Sequence, residues 1–581
     1  MIAAARWKLA ETSEASASRL AAACGLSLPV ARVLLARGYA TQAEAERFLH
    51  PRLTDLPDPF TMLGMEQAVE RIRRAVARRE KILLYGDYDV DGVASIVIML
   101  KMLELLGHTA GYLVPDRLKE GYGMQAEAVE RAAAEGVSLI ISVDTGIRAL
   151  EAVRAARNAG VDVVVTDHHL PEAELPPATA ILNPNQPGCP YPNKSLCGAG
   201  VTFKLAQALM DSENWPPDRI VRFSDSFLVM AAIATVADVV QLVGENRVLV
   251  KRGLDGLAKT RNHGLRALLE ASGLEPGAPL SAGDVGFRIA PRINAAGRMD
   301  HAGEVVEMLL TQDERRARAI AQRLDLLNQD RQRACEFIVK QVQERFGAEG
   351  RPDPDLAGLV FYSPDWHRGV VGIVANRLVE LYNRPAIVLG RDENTGLVQG
   401  SGRSIGGFHL LEALEAMPDL FIRFGGHKQA VGVTLEEERV PDLILRFADQ
   451  ARRMLGGGDL TPELVLDAQL DIEELTDDAA SDVLHLAPFG LGNRAPVFLM
   501  RDMEVRGAPE VFGREQEHLR VRLGRGARTT SVKAWKFASR AGELTPGTRV
   551  DAAVSIDDDP YSARRGFPPW SLTLKDVRPA E

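Results

Sequence analysis

The sequence predicts an α/β fold: a doubly wound, mostly parallel sheet, a long connecting helix, a second, smaller α/β domain and a C-terminal β-barrel. Short apolar runs alternate with helical patterns from about residue 70 to 185, which is the rhythm of βαβ units. Apolar residues recur every three or four positions from about 314 to 346, which indicates one long helix. After residue 456 short alternating strands dominate, as in a small barrel.

The length predicts several domains, because a single domain usually holds about 100–200 residues. Before the sheet, 28–35 and 43–49 carry helical apolar spacing, and the proline-rich PRLTDLPDPF ends this segment. We therefore divide the 581 residues into five parts. They are a helical segment at 1–60, the sheet domain at 61–245, a helical region with an arginine-bearing loop and the long helix at 246–350, the second α/β domain at 351–455 and the barrel at 456–581.

Composition and charge argue against several classes of protein. The four cysteines are widely spaced, without Cys-x-x-Cys, which argues against a disulfide scaffold or a zinc ribbon and suits a reducing cytosol. Glu11 and Glu14 stand where a signal peptide would need an apolar run, and the longest apolar run, 227–237, is too short to span a bilayer. We expect a soluble, cytoplasmic protein without membrane contact. The net charge of -10 argues against a general nucleic-acid coat protein, although a cleft can be locally positive.

The predicted strands of the first domain end in polar residues. Strands are expected at 82–85, 110–114, 139–143 and 161–165, with helices near 93–106, 125–134 and 147–158. The first strand leads to three alternating aspartates, the third to Asp144 and the fourth to the Asp-His-His of VVVTDHHL. A later apolar helix, FLVMAAIATVADVV, carries Asp238 as its one charge. Ligands bind beyond the carboxyl ends of such strands, so these side chains should share one rim.

The aspartates of KILLYGDYDVDGVAS predict a site for hard divalent metal ions. Three carboxylates within five residues repel each other strongly unless a cation lies among them. Asp-x-Asp-x-Asp-Gly also begins an EF-hand, but the twelfth position here is Ile98 rather than glutamate, and a strand rather than a helix precedes it. The candidate metal ligands are Asp87, Asp89, Asp91, Asp144, His168 and Asp238.

This mixed set of carboxylates and imidazole favours Mn²⁺ or Mg²⁺, as a pair of ions, over structural zinc. Two such ions can activate a water and stabilise the charge that develops during phosphoryl hydrolysis. Single residues have structural readings too: Asp144 after a strand could cap a helix, and one of the two histidines could be structural. Asp238 on an apolar helix is harder to explain in this way, because a buried carboxylate needs a partner or a metal.

Two glycine-rich stretches of the second half carry arginines that could bind anions. They are QGSGRS at 399–404, expected to be a turn with Ser401, Arg403 and Ser404, and an expected loop at 286–303, in which Arg292 and Arg298 flank Asn-Ala-Ala-Gly. Each arginine could equally form a surface or interdomain ion pair. The tripeptide at 425–427 could turn tightly and present His427.

The tail is locally basic although the chain is acidic. Residues 501–550 hold eleven arginines and lysines against six aspartates and glutamates. A basic barrel could follow a phosphodiester backbone and stack bases on aromatic rings. Trp535, Phe537 and Tyr561 are candidates for such stacking, although aromatic residues in a small barrel are more often part of its core.

Taken together, these motifs resemble a known superfamily. GDYDVDG, SVDTG, TDHH and ATVADVV are similar to the four motifs of the DHH phosphoesterases, and RINAAGRM, SGRS and GGHKQAVG resemble its RecJ family of bacterial, single-strand-specific 5′→3′ exonucleases. The resemblance covers about residues 60–435, and the basic tail suits the family's OB-fold domain. It implies Mn²⁺- or Mg²⁺-dependent hydrolysis of single-stranded DNA from a 5′ end to 5′-mononucleotides, in recombination and repair.

The resemblance also implies roles for individual residues. Asp144 would bridge two metal ions, His169 would contact the scissile phosphate, and Asp144, His168 and His169 would be catalytic. The implied substrate-binding residues are Arg117, Arg298, Ser401 and Arg403 at the terminal 5′-phosphate, with Arg292, Asn294 and His427 near the substrate path. The chain departs from the pattern of the smaller phosphoesterases at Tyr85, where they carry a histidine; Asp87 would substitute for it, with its metal left unassigned.

Two other functions stay open at this point. One is a DHH phosphodiesterase of cyclic dinucleotides or short oligonucleotides, although the long helix and the basic barrel favour a polymer. The other is an inactive DNA-binding replication accessory, although six converging ligands argue for hydrolysis. The partners that we expect are single-stranded DNA with a 5′ end and single-strand-binding protein, and the expected state is a monomer.

Overall fold

A computed structural model describes residues 5–115, 123–347, 350, 352–353, 355–456 and 460–580, apart from the side chain of Tyr561. The chain forms two compact units. The large unit comprises Trp7–Gly297, His301–Gln322 and Leu464–Glu581, and the small unit Met1–Arg6, Arg298–Asp300 and Arg323–Glu463. The predicted division into five parts stays a prediction.

The first half of the chain alternates helices with short strands. In chain order its elements are β1 (Arg6–Leu9), α1 (Glu14–Cys24), α2 (Leu28–Ala36), α3 (Gln42–Leu49), α4 (Met65–Arg78), β2 (Ile82–Tyr85), α5 (Val90–Leu105), β3 (Gly111–Leu113), α6 (Ala126–Ala134), β4 (Leu139–Val143), α7 (Leu150–Asn158), β5 (Asp162–Thr166), β6 (Ala180–Leu182), α8 (Gly198–Ser212), α9 (Pro217–Ala237), α10 (Gly244–Ala258), α11 (His263–Ala271), α12 (Ala282–Asp284), a π-helical turn (Val285–Ile289), α13 (Ala290–Met299) and α14 (Gly303–Leu310).

The second half opens on the long helix and ends in strands. Its elements are α15 (Glu314–Arg345), β7 (Leu359–Tyr362), α16 (Val371–Tyr382), β8 (Ala386–Arg391), β9 (Val398–Arg403), α17 (Leu410–Glu415), β10 (Arg423–Gly426), β11 (Ala430–Leu435), α18 (Val440–Leu455), β12 (Glu463–Leu466), β13 (Ala468–Gln469), α19 (Asp477–His485), β14 (Phe498–Val505), β15 (Glu510–Phe512), β16 (His518–Arg525), β17 (Arg528–Ala534), β18 (Arg549–Asp558), α20 (Pro560–Ala563) and β19 (Trp570–Pro579).

The predicted parallel sheet is confirmed in the large unit. Its order is β3-β2-β4-β5-β6, and each neighbouring pair is parallel. Strand β4 is buried along its whole length, as expected for a parallel sheet with both faces covered. Because the chain continues from β2 to β3 on one side and then to β4 on the other, the strand order reverses between β2 and β4. Ligands of such sheets bind at this reversal, beyond the carboxyl ends of the strands.

Helix α9 is the core helix of the large unit. It is long and apolar enough to cross a membrane by length and composition alone, but 56% of its most apolar window is buried inside the protein. It packs against α5, α8 and α10. The helices α1 and α2 pass the same test only as a pair, and that pair bends by 113°.

The C-terminal strands close into a small barrel. Antiparallel pairs join β14 to β18, β18 to β19, β17 to β16 and β16 back to β14, and a parallel pair joins β17 to β19. Five strands that close through one parallel pair match the five-stranded barrel of OB-folds. The helices α1–α3 share one apolar core with this barrel, which buries Val33 and Phe48 together with Phe498 and Val532.

The small unit contains a mixed sheet of order β10-β11-β9-β8-β7. Two sequence predictions are wrong at this level. The stretch 399–404, predicted as a turn, lies largely in strand β9, which pairs with β8 and β11. The stretch 286–303, predicted as a loop, is helical up to residue 299, in the π-helical turn and α13. The long helix was predicted at about 314–346 and is confirmed as α15, 32 residues long.

Candidate active site

The segment between β2 and α5 supplies the first three carboxylates. Asp89 caps α5 by accepting hydrogen bonds from the backbone N–H groups of Asp91 and Gly92, at 2.9 and 3.1 Å. The other two aspartates, Asp87 and Asp91, are buried, with 3% and 2% of their surface exposed. A Cβ at Gly92 would lie 2.5–2.7 Å from backbone atoms of Asp87, so this tight turn requires glycine.

Asp91 and Asp144 are fixed by neighbouring backbone. Asp91 accepts hydrogen bonds from the N–H groups of Gly198 and Ala199 at the start of α8, each at 2.6 Å. Asp144 follows β4 with φ of 60°, a left-handed conformation that costs energy for a residue with a side chain and is concentrated at functional sites. A Cβ at Gly198 would lie 2.5 Å from Asp144 Oδ1, so glycine also permits this approach. The reading of Asp144 as a helix cap is wrong, because α7 begins only at Leu150.

His168 lies at the centre of the cluster. Its Nε2 is 3.3 Å from Asp144 Oδ1, 3.7 Å from Asp91 Oδ2 and 3.8 Å from Asp238 Oδ2. The ligand atoms of three triplets each lie within 4.8 Å of one another. The triplets are Asp87, Asp89 and Asp144; Asp91, His168 and Asp238; and Asp144, His168 and His169. The fold therefore brings together all six predicted metal ligands.

Burial and like charge make this cluster unfavourable without a cation. Burial, and then the neighbouring carboxylates, raise the pKa of Asp144 and of Asp238 well above the ordinary range. Burial also raises the pKa of Asp91 and lowers that of His168. The buried Oδ1 of Asp144 accepts no hydrogen bond from the described residues. Oxygen atoms that crowd together in this way suit a hard divalent cation.

His169 is held by Asp167, a residue that the sequence prediction did not include in the site. The His169 Nδ1 lies 2.7 Å from Asp167 Oδ1, and the Asp167 Oδ2 accepts a hydrogen bond from Ile147 N at 2.9 Å. Burial opposes a charge on His169, but the hydrogen bond to Asp167 outweighs it and raises the pKa of His169 to about 9. Its position directly before the two histidines in the sequence was the available signal for Asp167.

Two asparagines that sequence reasoning missed hold the backbone of the histidine pair. Asn183 Nδ2 donates to the carbonyl of His169 at 2.9 Å, and Asn185 Nδ2 donates to that of His168 at 2.8 Å. Both belong to Asn-Pro-Asn directly after β6, a strand that was not predicted. Their position at the carboxyl end of a strand was the available signal.

Helix α13 contacts the segment that carries the aspartates. Asn294 Oδ1 accepts a hydrogen bond from Val90 N at 3.1 Å, and a Cβ at Gly297 would lie 2.5 Å from the carbonyl oxygen of Tyr88. Arg292 Nη1 donates to the carbonyl of Arg288 within the same helical run, at 2.6 Å. Asn294 thus supports the aspartate segment directly. Arg117, another predicted substrate residue, lies outside the described residues.

In the small unit, three predicted substrate residues flank one segment, 369–372. Arg298 Nη1 donates to the carbonyl of Gly369 at 3.2 Å. Arg403 Nη1 donates to Ser401 Oγ at 2.7 Å, and a Cβ at Gly372 would lie 3.2 Å from that hydroxyl and 3.3 Å from Arg403 Nη2. The segment leads into α16, whose N-terminal N–H groups favour an anion.

His427 lies in the turn of the β10–β11 hairpin. Its backbone N–H donates to the carbonyl of Ala430 at 2.9 Å, and its Nδ1 accepts from Gln429 N at 3.2 Å. Gly425 and Gly426, which were predicted to turn, lie in strand β10, and the tight turn follows directly after them at residues 427–429. His427 belongs to the small unit, as do Arg298, Ser401 and Arg403.

Comparison with known proteins assigns the chain to a family. Residues 81–235 match the DHH family, N-terminal domain, residues 355–453 the DHHA1 domain and residues 466–567 the RecJ OB domain. The single-stranded-DNA-specific exonuclease RecJ of Bacillus subtilis is 37% identical over 99% of this chain and 71% of its own length. That of Escherichia coli is 37% identical over 80% of this chain and 82% of its own length. The chain belongs to the RecJ family.

Solved RecJ structures agree with this assignment. The crystal structure of RecJ from Thermus thermophilus in complex with Mn²⁺ matches 99% of this chain and 80% of its own, with a TM-score of 0.83 and 30% sequence identity. The same protein has been solved with Mg²⁺, with a TM-score of 0.77 at 28% identity. The RecJ OB domain confirms the predicted OB-like barrel.

The aromatic candidates of the RecJ OB domain differ in exposure. Trp535 is 49% exposed and stands edge-on to His518 and Phe512, with ring centroids 4.8 and 5.6 Å away. Arg520 lies over the Phe512 ring at 5.6 Å. Phe537 is only 3% exposed and belongs to the barrel core, so its candidacy for stacking is wrong. The side chain of Tyr561 lies outside the described residues.

Proposed function

We propose that this chain is a Mn²⁺- or Mg²⁺-dependent exonuclease that hydrolyses single-stranded DNA from its 5′ end to 5′-mononucleotides, in recombination and repair. One observation carries the proposal: five carboxylates and one imidazole converge where the strand order of the sheet reverses. Family membership selects single-stranded DNA as the substrate. The two alternatives, a dinucleotide phosphodiesterase and an inactive accessory, lose support because the relatives that match nearly the whole chain are exonucleases.

The residues present fit two divalent ions. Asp87 and Asp89 would hold one ion, Asp91, His168 and Asp238 the other, and Asp144 would contact both because it belongs to triplets on either side. Two observations support this assignment. The ligands are mostly oxygen atoms, and the buried Oδ1 of Asp144 accepts no hydrogen bond from the described residues. When bound, such ions supply an activated water and stabilise charge on the phosphoryl group.

His169 has the geometry to contact the scissile phosphate. Its Nδ1 is engaged by Asp167, and the proposed contact with the phosphate is made through Nε2. Asp167 fixes the orientation of the ring and favours the charged imidazole, which donates a strong hydrogen bond to an anionic oxygen. Asn183 and Asn185 keep the backbone of both histidines in place. We therefore assign positioning roles to these three residues.

The terminal 5′-phosphate would bind in the small unit. Arg403 supplies a guanidinium, Ser401 a hydroxyl, α16 its N-terminal N–H groups and Arg298 a second guanidinium, all beside segment 369–372. By resemblance, Arg117 would join this set, and Arg292, Asn294 and His427 would lie along the substrate path. Because Asn294 accepts a hydrogen bond from Val90, we assign it mainly a structural role, in which it holds the aspartate segment in place.

The barrel would bind the strand further from its end. Trp535 offers a half-exposed ring and Arg520 a cation, the two groups with which OB-folds hold single strands. Single-strand-binding protein as a partner, a monomeric state and a cytoplasmic location complete the proposal. They rest on resemblance to the RecJ family and on the composition of the chain.

Degradation of end-labelled DNA tests this function. The wild-type chain with Mn²⁺ or Mg²⁺ should release labelled mononucleotide first from a 5′-labelled single strand and late from a 3′-labelled one. A blunt duplex of the same sequence should be degraded far more slowly. Faster hydrolysis of a dinucleotide than of a 30-nucleotide strand would instead support the phosphodiesterase alternative, and no hydrolysis with either metal would support the accessory.

A further inference from the structure

Phe287 is displayed to solvent to an unusual degree. Its side chain is 84% exposed, the highest value among the large apolar residues in the described part of the chain. It belongs to the π-helical turn Val285–Ile289, a rare geometry that occurs frequently at functional sites. An exposed phenylalanine gains nothing from the hydrophobic effect, so its position calls for a partner outside the folded chain.

The turn that carries Phe287 is anchored on both sides. Val285 and Ile289 are buried, and the Arg288 guanidinium donates to the carbonyls of Ser272 and Gly273 at 2.8 and 2.7 Å, which caps the end of α11. Ser272 Oγ in turn lies 3.4 Å from the carbonyl of Arg288. With its neighbours held in this way, the Phe287 ring is presented by a rigid support rather than by a loose loop.

The same helical run reaches the metal centre. From Phe287 to Asn294 there are seven residues, roughly 10 Å of helix, and Asn294 contacts Val90 between two candidate metal ligands. On its other side the π-helical turn packs against α9, where a Cβ at Gly286 would lie 3.6 Å from Val236. Val236 stands two residues before Asp238. Phe287 is thus positioned by the elements that build the centre.

From this placement we infer that Phe287 is a stacking platform for one unpaired base of the DNA strand held at the metal centre. This inference rests on the proposed function. A phenyl ring can stack on the face of any base, so the contact would be independent of sequence. Inside a duplex both faces of each base are covered by the neighbouring base pairs, so away from the duplex ends the ring has nothing to stack on. Phe287 would therefore contribute to the selectivity for single strands.

Binding of strands with one missing base tests the platform. Affinity is measured by fluorescence anisotropy on the full chain with Mn²⁺, in an Asp144→Asn background that prevents degradation. The probes are a 5′-phosphorylated single strand and a series in which one nucleotide at a time is abasic. Loss of one base stack costs about tenfold in Kd. We expect Phe287→Ala to weaken the intact strand about tenfold and Phe287→Trp to restore binding to within about threefold.

Combining the Phe287→Ala substitution with the abasic strands shows whether Phe287 stacks on one particular base. At one position of the strand, removal of the base should weaken binding about tenfold to the protein that keeps Phe287. Removal of the same base should leave binding to the Phe287→Ala protein unchanged, because the same contact is already lost. The matched control is Phe337→Ala, which removes a 54% exposed aromatic side chain on α15. This variant should still lose about tenfold in affinity when the base at that position is missing. If Phe287→Ala binds the intact strand as the parent does, or loses further affinity at every abasic position, the platform is refuted. Failure of the wild-type chain to degrade DNA would instead refute the proposed function.

Discussion

At the scale of single residues, Asp144 shows how the site conflicts with stability. It is buried, adopts a left-handed backbone conformation and has its pKa raised by burial and by four other aspartates. Each of these features costs free energy in the metal-free protein. A divalent cation reverses the electrostatic cost, because it turns repelling carboxylates into ligands. Removing the Asp144 carboxylate should therefore lower activity but raise the stability of the metal-free protein.

Replacing Asp144 by Asn should separate these two effects. Without metal the variant should melt about 2–4 °C above wild type, since one buried like charge is gone. With Mn²⁺ the order should reverse, because the wild type gains more binding free energy, and DNA hydrolysis should fall about 10³-fold or more. Differential scanning fluorimetry in EDTA and in Mn²⁺, with an end-labelled nuclease assay, measures both. A metal-free variant that melts below wild type would contradict the repulsion argument.

Arg403 should determine the preference for a phosphorylated 5′ end. A charge-assisted hydrogen bond to phosphate contributes about 1.5–3 kcal/mol, so Arg403→Ala should lower kcat/KM on 5′-phosphorylated strands about 10- to 100-fold. The kcat/KM on strands with a 5′-hydroxyl should fall much less. Arg403→Lys keeps the charge without the two-pronged geometry and should fall between. Arg453→Ala, with a 73% exposed side chain in the same unit, is the control. Equal losses on both kinds of end would refute the assignment.

At the scale of elements, most of the metal centre could be predicted and two glycine-rich segments could not. Strands β2 and β4 were predicted to the residue because a short, buried, parallel strand is a continuous apolar run. Glycines misled the prediction elsewhere. In β9, Gly400 and Gly402 leave room for Leu389 and Val431, which a Cβ would approach to 2.3 and 2.8 Å. The need for glycine at these positions comes from neighbouring strands, and a local sequence pattern does not show it.

Helix α13 was missed for the same reason, which leads to a prediction. Gly297 reads as a helix breaker, yet a Cβ there would lie 2.5 Å from the carbonyl of Tyr88. Gly297→Ala should therefore displace the segment that carries Asp87 and Asp89 and lower DNA hydrolysis about 100-fold, since small misplacements of reacting groups are costly. Gly283→Ala, where the nearest atom is at 3.4 Å, is the control. Steady-state kinetics and circular dichroism would show the loss at intact helix content; wild-type activity would contradict the close approach.

At the scale of the whole molecule, the beginning of the chain completes the domain at its end. The helices α1–α3 and the barrel share one core, which no local pattern could have revealed, since the partners are more than 400 residues apart. Arg37 joins the two parts through Asn493, Asp467 and the carbonyl of Arg494. Strand pairing adds a second connection, because β1 lies beside β12. The barrel therefore depends for its core on helices that are far from it in the sequence.

Removing Arg37 should loosen the barrel while the metal centre stays folded. Asp467 is buried, with 3% of its side chain exposed, and Arg37→Ala would leave this carboxylate with a much weaker ion pair to the half-exposed Arg494, at 3.7 Å. Breaking a buried pair in this way costs on the order of 3 kcal/mol. Hydrogen exchange followed by mass spectrometry should show faster exchange in β13, β14 and α2 but unchanged rates in β2, β4 and β5. Arg19→Ala, an exposed residue of α1 that contacts Ser16, is the control. Uniform acceleration across the large unit would show that the barrel and the sheet unfold together, and unchanged exchange in β13 and β14 would show that the N-terminal helices do not support the barrel.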